Sequence, residues 1–153
     1  MRTSGTWRTV LRVPGTPGAM LTYAAPSPAT PEHAWPFMAR PALWPRWAPH
    51  LRGAWGLGDP EVEPGARGAV RLLGVVPVPA RILAKDPGRS WSWQVGPATL
   101  VHRVEPAAGG GSVVAVDISA PGPVEAALRV TYGPLVRLLL RNLARVAAAP
   151  ASR

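Results

Sequence analysis

Apolar and polar residues alternate over much of the chain, with the period of strands that bury one face. We predict a first strand at 19–24 and six more, which are 51–57, 67–74, 77–85, 90–96, 99–105 and 112–119. Turn sequences rich in Gly, Pro and Asp separate these stretches, for example Asp86-Pro87-Gly88. Because connections this short leave no room for crossovers, we expect an antiparallel sheet.

A long helix is predicted over 122–149, where apolar residues recur at helical spacing. Gly133-Pro134 interrupts this pattern and should produce a kink or two abutting helices. Arg137, Arg141 and Arg145 line up four residues apart on another face. A solvated face is the simpler interpretation of this stripe, and contact with anionic lipid or a protein partner is the alternative.

The segment 30–55 contains four of the seven tryptophans and five prolines. Thr30 is a good N-cap residue and predicts a helix over 30–40, which Pro36 should kink or shorten. A second short helix is predicted over 41–50. Isolated helices of this length are marginal in water, so the indoles must dock on something larger.

Bulk composition fits one globular domain of 153 residues, with 47% hydrophobic and 16% charged residues. We divide the chain into an arm at 1–17, a domain at 18–149 and a tail at 150–153. The absence of cysteine excludes disulfides and thiolate catalysis. We find no signal-peptide core and no long apolar span, and we therefore expect a cytoplasmic protein without integral membrane association.

The formal net charge of +9 raises the question of an anionic partner. The arginines are scattered singly rather than in tracts, so we predict no nucleic-acid binding. Peripheral contact with a membrane stays open. Histidines are few and far apart in sequence and no cofactor motif is present, so we predict neither a metal nor a cofactor.

Several sequence pieces, in this order, resemble one known family. They are T-P-E-H-A-W, P-A-L-W-P-R-W-A-P-H, D-P-G-R-S-W-S-W, H-R-V-E-P-A-A-G-G-G-S and Y-G-P-L-V-R-L-L-L-R-N-L. Together they are similar to the START-like (SRPBCC) superfamily, the polyketide cyclase/dehydrase and lipid transport family. The resemblance implies an α+β helix-grip fold: two short helices follow the first strand, and a curved antiparallel sheet wraps around a long C-terminal helix. It also implies a deep apolar cavity between sheet and helix.

Strand alternation sorts the side chains that would face this cavity. Ala84 is predicted to point inward, whereas Lys85, Glu105 and Asp117 are predicted to point outward. The residues predicted to contact a ligand, from the strands, the short helices and the last helix, are Val70, Leu72, Ile82, Trp91, Trp93, Leu100, His102, Val116, Trp44, Trp47, Tyr132 and Asn142.

Three tryptophans of the segment 30–55 have two possible roles. Trp44, Trp47 and Trp55 could form a lid over the entrance of the cavity. Alternatively, they pack the short helices onto the core. The sequence leaves both roles open.

His102 is the main polar group of the predicted wall. It could act as an acid or base near neutral pH. The favoured interpretation is a hydrogen-bonded, half-buried histidine, or one that only orients a ligand carbonyl, because no inward carboxylate is predicted to orient the ring. No other residue is a catalytic candidate.

The function predicted first is binding, with possible transport, of an apolar or aromatic small molecule such as a lipid, isoprenoid or polyketide. The alternative is a polyketide cyclase or dehydratase that uses His102 as acid or base. A third hypothesis is a protein interaction through the arginine stripe. We expect a monomer or a homodimer.

Overall fold

The computed structural model describes residues 20–48, 51–72, 76–123 and 133–149. The predicted arm at 1–17 and tail at 150–153 lie outside the described residues. Seven strands are present, and their bounds are β1 (Met20–Ser27), β2 (Leu51–Trp55), β3 (Arg67–Leu72), β4 (Val76–Asp86), β5 (Ser90–Val95), β6 (Ala98–Pro106) and β7 (Ser112–Ser119). The helical elements are α1 (Pro31–Ala39), a 3-10 helix (Pro41–Arg46) and α2 (Gly133–Ala148).

The strands form one antiparallel sheet in the order β1-β7-β6-β5-β4-β3-β2. This order is a meander from β2 to β7, with β1 added beside β7. Helix α2 packs on β1, β7 and α1. The predicted α+β helix-grip architecture, with a curved antiparallel sheet around a C-terminal helix, is therefore confirmed.

Helix α1 begins as predicted and ends one residue earlier than expected. Thr30 caps it, because its hydroxyl accepts a hydrogen bond from the backbone N–H of His33 at 3.3 Å. The helix continues past Pro36 to Ala39. The second predicted helix, over 41–50, is instead a 3-10 helix that ends at Arg46.

Indole groups satisfy the carbonyls at the end of α1, which have no partner inside the helix. The Trp47 indole N–H donates to the Phe37 carbonyl at 2.8 Å. The Met38 carbonyl accepts from two indoles, that of Trp44 at 2.9 Å and that of Trp91 at 3.2 Å. Trp44 and Trp47 are buried, so core packing rather than a lid describes them.

Two inward and outward assignments in β4 are wrong. Ala84 was expected to face inward and is exposed, whereas Lys85 was expected to face outward and is part-buried. The reason is a bulge at Leu83, which shifts the register between β4 and β5. After the bulge, Lys85 rather than Ala84 lies on the inner side of the sheet, opposite Trp91.

Helix α2 begins against the first strand. A Cβ atom at Gly133 would lie 2.6 Å from the Tyr23 hydroxyl oxygen, so glycine allows the close approach. The buried side of α2 presents apolar residues to the core, which are Val136, Leu139, Leu140, Leu143, Ala144 and Ala147. Residues 124–132 lie outside the described residues, so the kink or pair of abutting helices expected at Gly133-Pro134 stays a prediction.

Ser27 ties β1 to α2, and its loss should destabilise the fold. The buried Ser27 hydroxyl donates to the Ala144 carbonyl at 2.8 Å and accepts from the Ala29 N–H at 3.2 Å. We expect Ser27→Ala to lower the free energy of unfolding by about 1–3 kcal/mol, because it leaves buried groups without partners. Urea denaturation measures this loss. Thr22→Ala is the control, since it removes an exposed hydrogen bond to Asp117 from the same strand; an equal loss in both variants would contradict the prediction.

Candidate functional site

The inner face of the sheet is built from rows of paired residues that cross the strands. One row runs through Lys85, Trp91, His102, Val116 and Tyr23. Each of these residues lies on a different strand, from β4 through β5, β6 and β7 to β1. The row combines aromatic and aliphatic side chains with a single imidazole.

The next row along the strands is almost wholly apolar. It contains Ile82, Trp93, Leu100, Ile118 and Leu21. Leu100 and Leu21 are part-exposed, whereas the other three are buried. Together the two rows form an apolar wall with few polar atoms, which is the usual composition of a small-molecule site.

Four rings meet at the centre of this wall, and we call them the aromatic cluster (Trp44, Trp91, Trp93 and His102). Trp91 stacks on both Trp44 and His102, with ring centroids 5.6 Å and 4.4 Å apart, respectively. Trp93 meets all three edge-on at 5.2 to 6.0 Å. Such stacked and edge-on pairs add to the stability that burial alone provides.

The aromatic cluster contains two buried nitrogens without a hydrogen-bond partner among the described residues. They are Nε1 of Trp93 and Nε2 of His102. The other two indoles of the cluster both donate to the Met38 carbonyl. Since an unsatisfied buried polar group costs about 1–3 kcal/mol, these two nitrogens mark a place where a further polar atom would be stabilised.

Burial determines the charge of the imidazole. Desolvation lowers the pKa of His102 from 6.5 to about 4, and the Asp117 carboxylate only partly opposes this shift. The ring is therefore neutral near pH 7, with one nitrogen as donor and the other as acceptor. A neutral imidazole of this kind suits a hydroxyl or carbonyl group on a ligand and is a weak base.

The nearby carboxylates point away from the imidazole, as predicted. On the outer face, Arg103 bonds Asp117 at 2.9 Å and Glu105 at 2.8 Å. These contacts hold both carboxylates on the opposite side of the sheet from the aromatic cluster. No hydrogen bond joins His102 to a carboxylate within the part of the chain that the structure describes.

The remaining predicted ligand contacts occupy different environments. Val70, Ile82 and Val116 are buried in the core. Asn142 accepts a hydrogen bond from Arg145 at 3.0 Å on the exposed side of α2. Tyr132 lies outside the described residues, as does the side chain of Leu72. Whether any of these residues contacts a ligand stays a prediction.

Sequence reasoning missed an ion pair beside the wall. Lys85 Nζ lies 3.0 Å from the Glu61 carboxylate, and the Trp35 indole N–H donates to both oxygens of that carboxylate at 3.2 Å. The sequence signal was the adjacent apolar pair Ile82-Leu83, which breaks strict alternation and indicates a bulge. The Lys85–Glu61 ion pair and the Trp35 hydrogen bonds fix the loop after β2 against β4 and α1.

Trp55 does not cover the inner face. It pairs with Ala69 of β3 and points to the outer face of the sheet, where it is 47% exposed. The interpretation of Trp55 as part of a lid is wrong, because its position in the alternation of β2 is opposite to that of Ala54, which packs against the core.

A family model described as polyketide cyclase / dehydrase and lipid transport matches residues 19–148. Comparison with curated proteins gives no significant match.

None of the described helices is long and apolar enough to cross a membrane. No group of three or more potential metal ligands occurs among the described residues.

Several solved structures are similar to this chain. A protein from Rhodobacter sphaeroides shares 20% identity and a TM-score of 0.65, over 88% of this chain and 97% of that one. Ara h 8.0201 shares 18% identity and a TM-score of 0.61, over 84% and 97%. The Aha1 dimer from Colwellia psychrerythraea shares 12% identity and a TM-score of 0.65, over 88% and 99%. At these identities the likeness shows the fold alone.

Proposed function

The chain belongs to the polyketide cyclase/dehydrase and lipid transport family, and we propose that it binds an apolar or aromatic small molecule on the inner face of its sheet. A lipid, an isoprenoid or a polyketide would fit this description. The observation that carries the proposal is the pair of buried, unpartnered nitrogens on Trp93 and His102, within the described residues, in an otherwise apolar wall. Cytoplasmic location and the monomer or homodimer state stay predictions.

The wall and the two nitrogens would contribute in different ways. Burial of apolar ligand surface supplies affinity at about 25 cal/mol per Å². The nitrogens supply orientation: Trp93 donates to a ligand oxygen, and neutral His102 donates or accepts. The favoured ligand is therefore a largely apolar molecule with a hydroxyl or carbonyl oxygen on the part that reaches the aromatic cluster.

Polyketide cyclisation or dehydration, with His102 as acid or base, is the alternative function. The low pKa of His102, about 4, weakens the imidazole as a base near neutral pH. The carboxylates nearest in sequence, Glu105 and Asp117, are engaged with Arg103 on the outer face. Binding is therefore the function that the geometry supports better.

Loss of the unpartnered indole N–H should weaken binding selectively. We expect Trp93→Phe to bind an oxygenated ligand about tenfold more weakly, because one buried hydrogen bond is lost while an aromatic ring is kept. A hydrocarbon analogue of the same ligand should bind both proteins alike. Native mass spectrometry against a panel of lipids, isoprenoids and polyketides identifies the ligand, and calorimetry gives its affinity.

Trp55→Phe is the matched control, since it makes the same chemical change on the outer face. The control should bind as the unchanged protein does. The proposal would be refuted if no compound of the panel bound. It would also be refuted if Trp93→Phe and the unchanged protein bound the oxygenated ligand with equal affinity. The enzymatic alternative would be favoured if the protein converted a bound polyketide, and if His102→Phe abolished this conversion but still bound the polyketide.

A further inference from the structure

The outer face of the sheet has two halves with different charge balance. On the β6–β7 half, Arg103 is paired with Asp117 and Glu105. On the β2–β4 half, Arg67, Arg71 and Arg81 are exposed. None of these three forms an ion pair with a carboxylate among the described residues. Positive charge is therefore concentrated on one half of this face.

Two of these arginines are directly opposed. Arg67 of β3 pairs in register with Arg81 of β4, and like charges in that position destabilise a sheet. The only described hydrogen bond of either side chain runs from Arg81 to the amide oxygen of Gln94 at 3.3 Å. Strands β2, β3 and β5 contain no Asp or Glu, and β4 contains only Asp86 at its end. An external anion would offset this repulsion.

Exposed apolar side chains flank the same arginines. Trp55 is 47% exposed and Leu83 is 39% exposed. The Arg71 guanidinium lies 5.8 Å from the Trp55 ring centroid, a cation–π arrangement. We call this surface the outer patch (Trp55, Arg67, Arg71, Arg81 and Leu83). Tryptophan beside arginine is the combination found at membrane–water interfaces, where the indole has one apolar and one polar side.

We propose that the outer patch docks the protein on an anionic membrane surface. The three arginines contact lipid phosphates, and Trp55 and Leu83 enter the interfacial region. The exposed aliphatic Leu83, and an exposed indole that has no second one beside it among the described residues, favour lipid over single-stranded nucleic acid, which binds to successive aromatic platforms. This docking does not depend on the ligand proposed for the inner face.

Vesicle sedimentation tests the charge component. The full chain should sediment with vesicles of phosphatidylcholine and phosphatidylglycerol, but not with phosphatidylcholine alone, and salt should weaken the binding. We expect Arg67→Gln/Arg81→Gln to lower the partition coefficient about 30-fold, because each basic side chain near an anionic surface contributes about 1 kcal/mol to binding. Its Tm should be unchanged or higher, because the opposed charges are removed.

Arg141→Gln/Arg145→Gln is the matched control. It removes the same charge from the exposed side of α2 and should leave partitioning within about threefold, since screening confines each charge to about 10 Å. Equal losses in the two double variants would overturn the proposal, because net charge alone would then explain binding. Absence of sedimentation with anionic vesicles would overturn it as well.

Brominated lipids test the contact of Trp55. They should quench part of the tryptophan emission of the unchanged protein, whereas Trp55→Phe should still sediment and lose that quenching. Quenching that persists in Trp55→Phe would place the membrane contact elsewhere. Nucleic acid would be the partner, and docking on lipid would be refuted, under one result. The unchanged protein would bind a single-stranded oligonucleotide but not vesicles, and Arg67→Gln/Arg81→Gln would not bind the oligonucleotide.

Discussion

Trp44→Ala is expected to lower the free energy of unfolding by about 3–5 kcal/mol, the range for removal of a large buried aromatic side chain. Trp44 is 2% exposed and stacks on Trp91 with centroids 5.6 Å apart. Its loss opens a cavity between the 3-10 helix and β5 and removes one donor to the Met38 carbonyl. Domains of this size are stable by about 5–15 kcal/mol, so this loss is a large fraction of the total stability. Chemical denaturation followed by circular dichroism measures the change.

Trp44→Phe separates the contribution of the aromatic ring to the free energy of unfolding from that of the indole N–H group. It should cost about 1–2 kcal/mol, since a ring still fills most of the space and Trp91 still donates to the Met38 carbonyl at 3.2 Å. A loss below about 1 kcal/mol for Trp44→Ala would contradict the core role of Trp44. In that case, the lid role would become the better interpretation of this residue.

Acidification from pH 7 to pH 5 should cost about 2 kcal/mol of stability through His102 alone. Burial lowers the pKa of His102 to about 4 in the folded protein, whereas an unfolded histidine has a pKa near 6.5. The unfolded state therefore binds more protons between these two values, and stability is present above pH 6.5 and is lost as pH falls toward 4. Urea denaturation at a series of pH values measures the slope.

His102→Phe isolates this contribution. Phenylalanine keeps a ring on Trp91, which lies 4.4 Å from the imidazole centroid, and it does not titrate. The variant should lose the pH-dependent slope between pH 5 and pH 7 that the unchanged protein shows. Identical slopes in the two proteins would mean that His102 is not buried as a neutral group.

The sheet was predictable because its signals are local. Alternation identified all seven strands, and the N-cap at Thr30 placed the start of α1. The bulge at Leu83 was not predicted, because the break in alternation at Ile82-Leu83 fits a regular buried strand as well as a bulge, and only the pairing of β4 with β5 distinguishes the two. Alternation assumes a regular strand and therefore placed Ala84 and Lys85 on the wrong faces.

The candidate site was predictable in its members but not in its arrangement. Alternation placed Trp91, Trp93 and His102 on one face, which the paired rows of the sheet reproduce. The stacking of Trp44 on Trp91 arises between the 3-10 helix and a strand, so no sequence period reports it. For the same reason the sequence left open whether Trp44 is a lid or a core residue. The unpartnered nitrogens of Trp93 and His102 also depend on three-dimensional packing.

The indole bonds at the end of α1 have a consequence for the order of folding. Trp91 reaches the Met38 carbonyl across 53 positions of sequence. A nine-residue helix that contains a proline is too short to persist alone in water. Its completed form therefore depends on a strand that is synthesised much later. Contacts of such long range slow folding, so α1 is the first helix in the sequence without being an early folding unit.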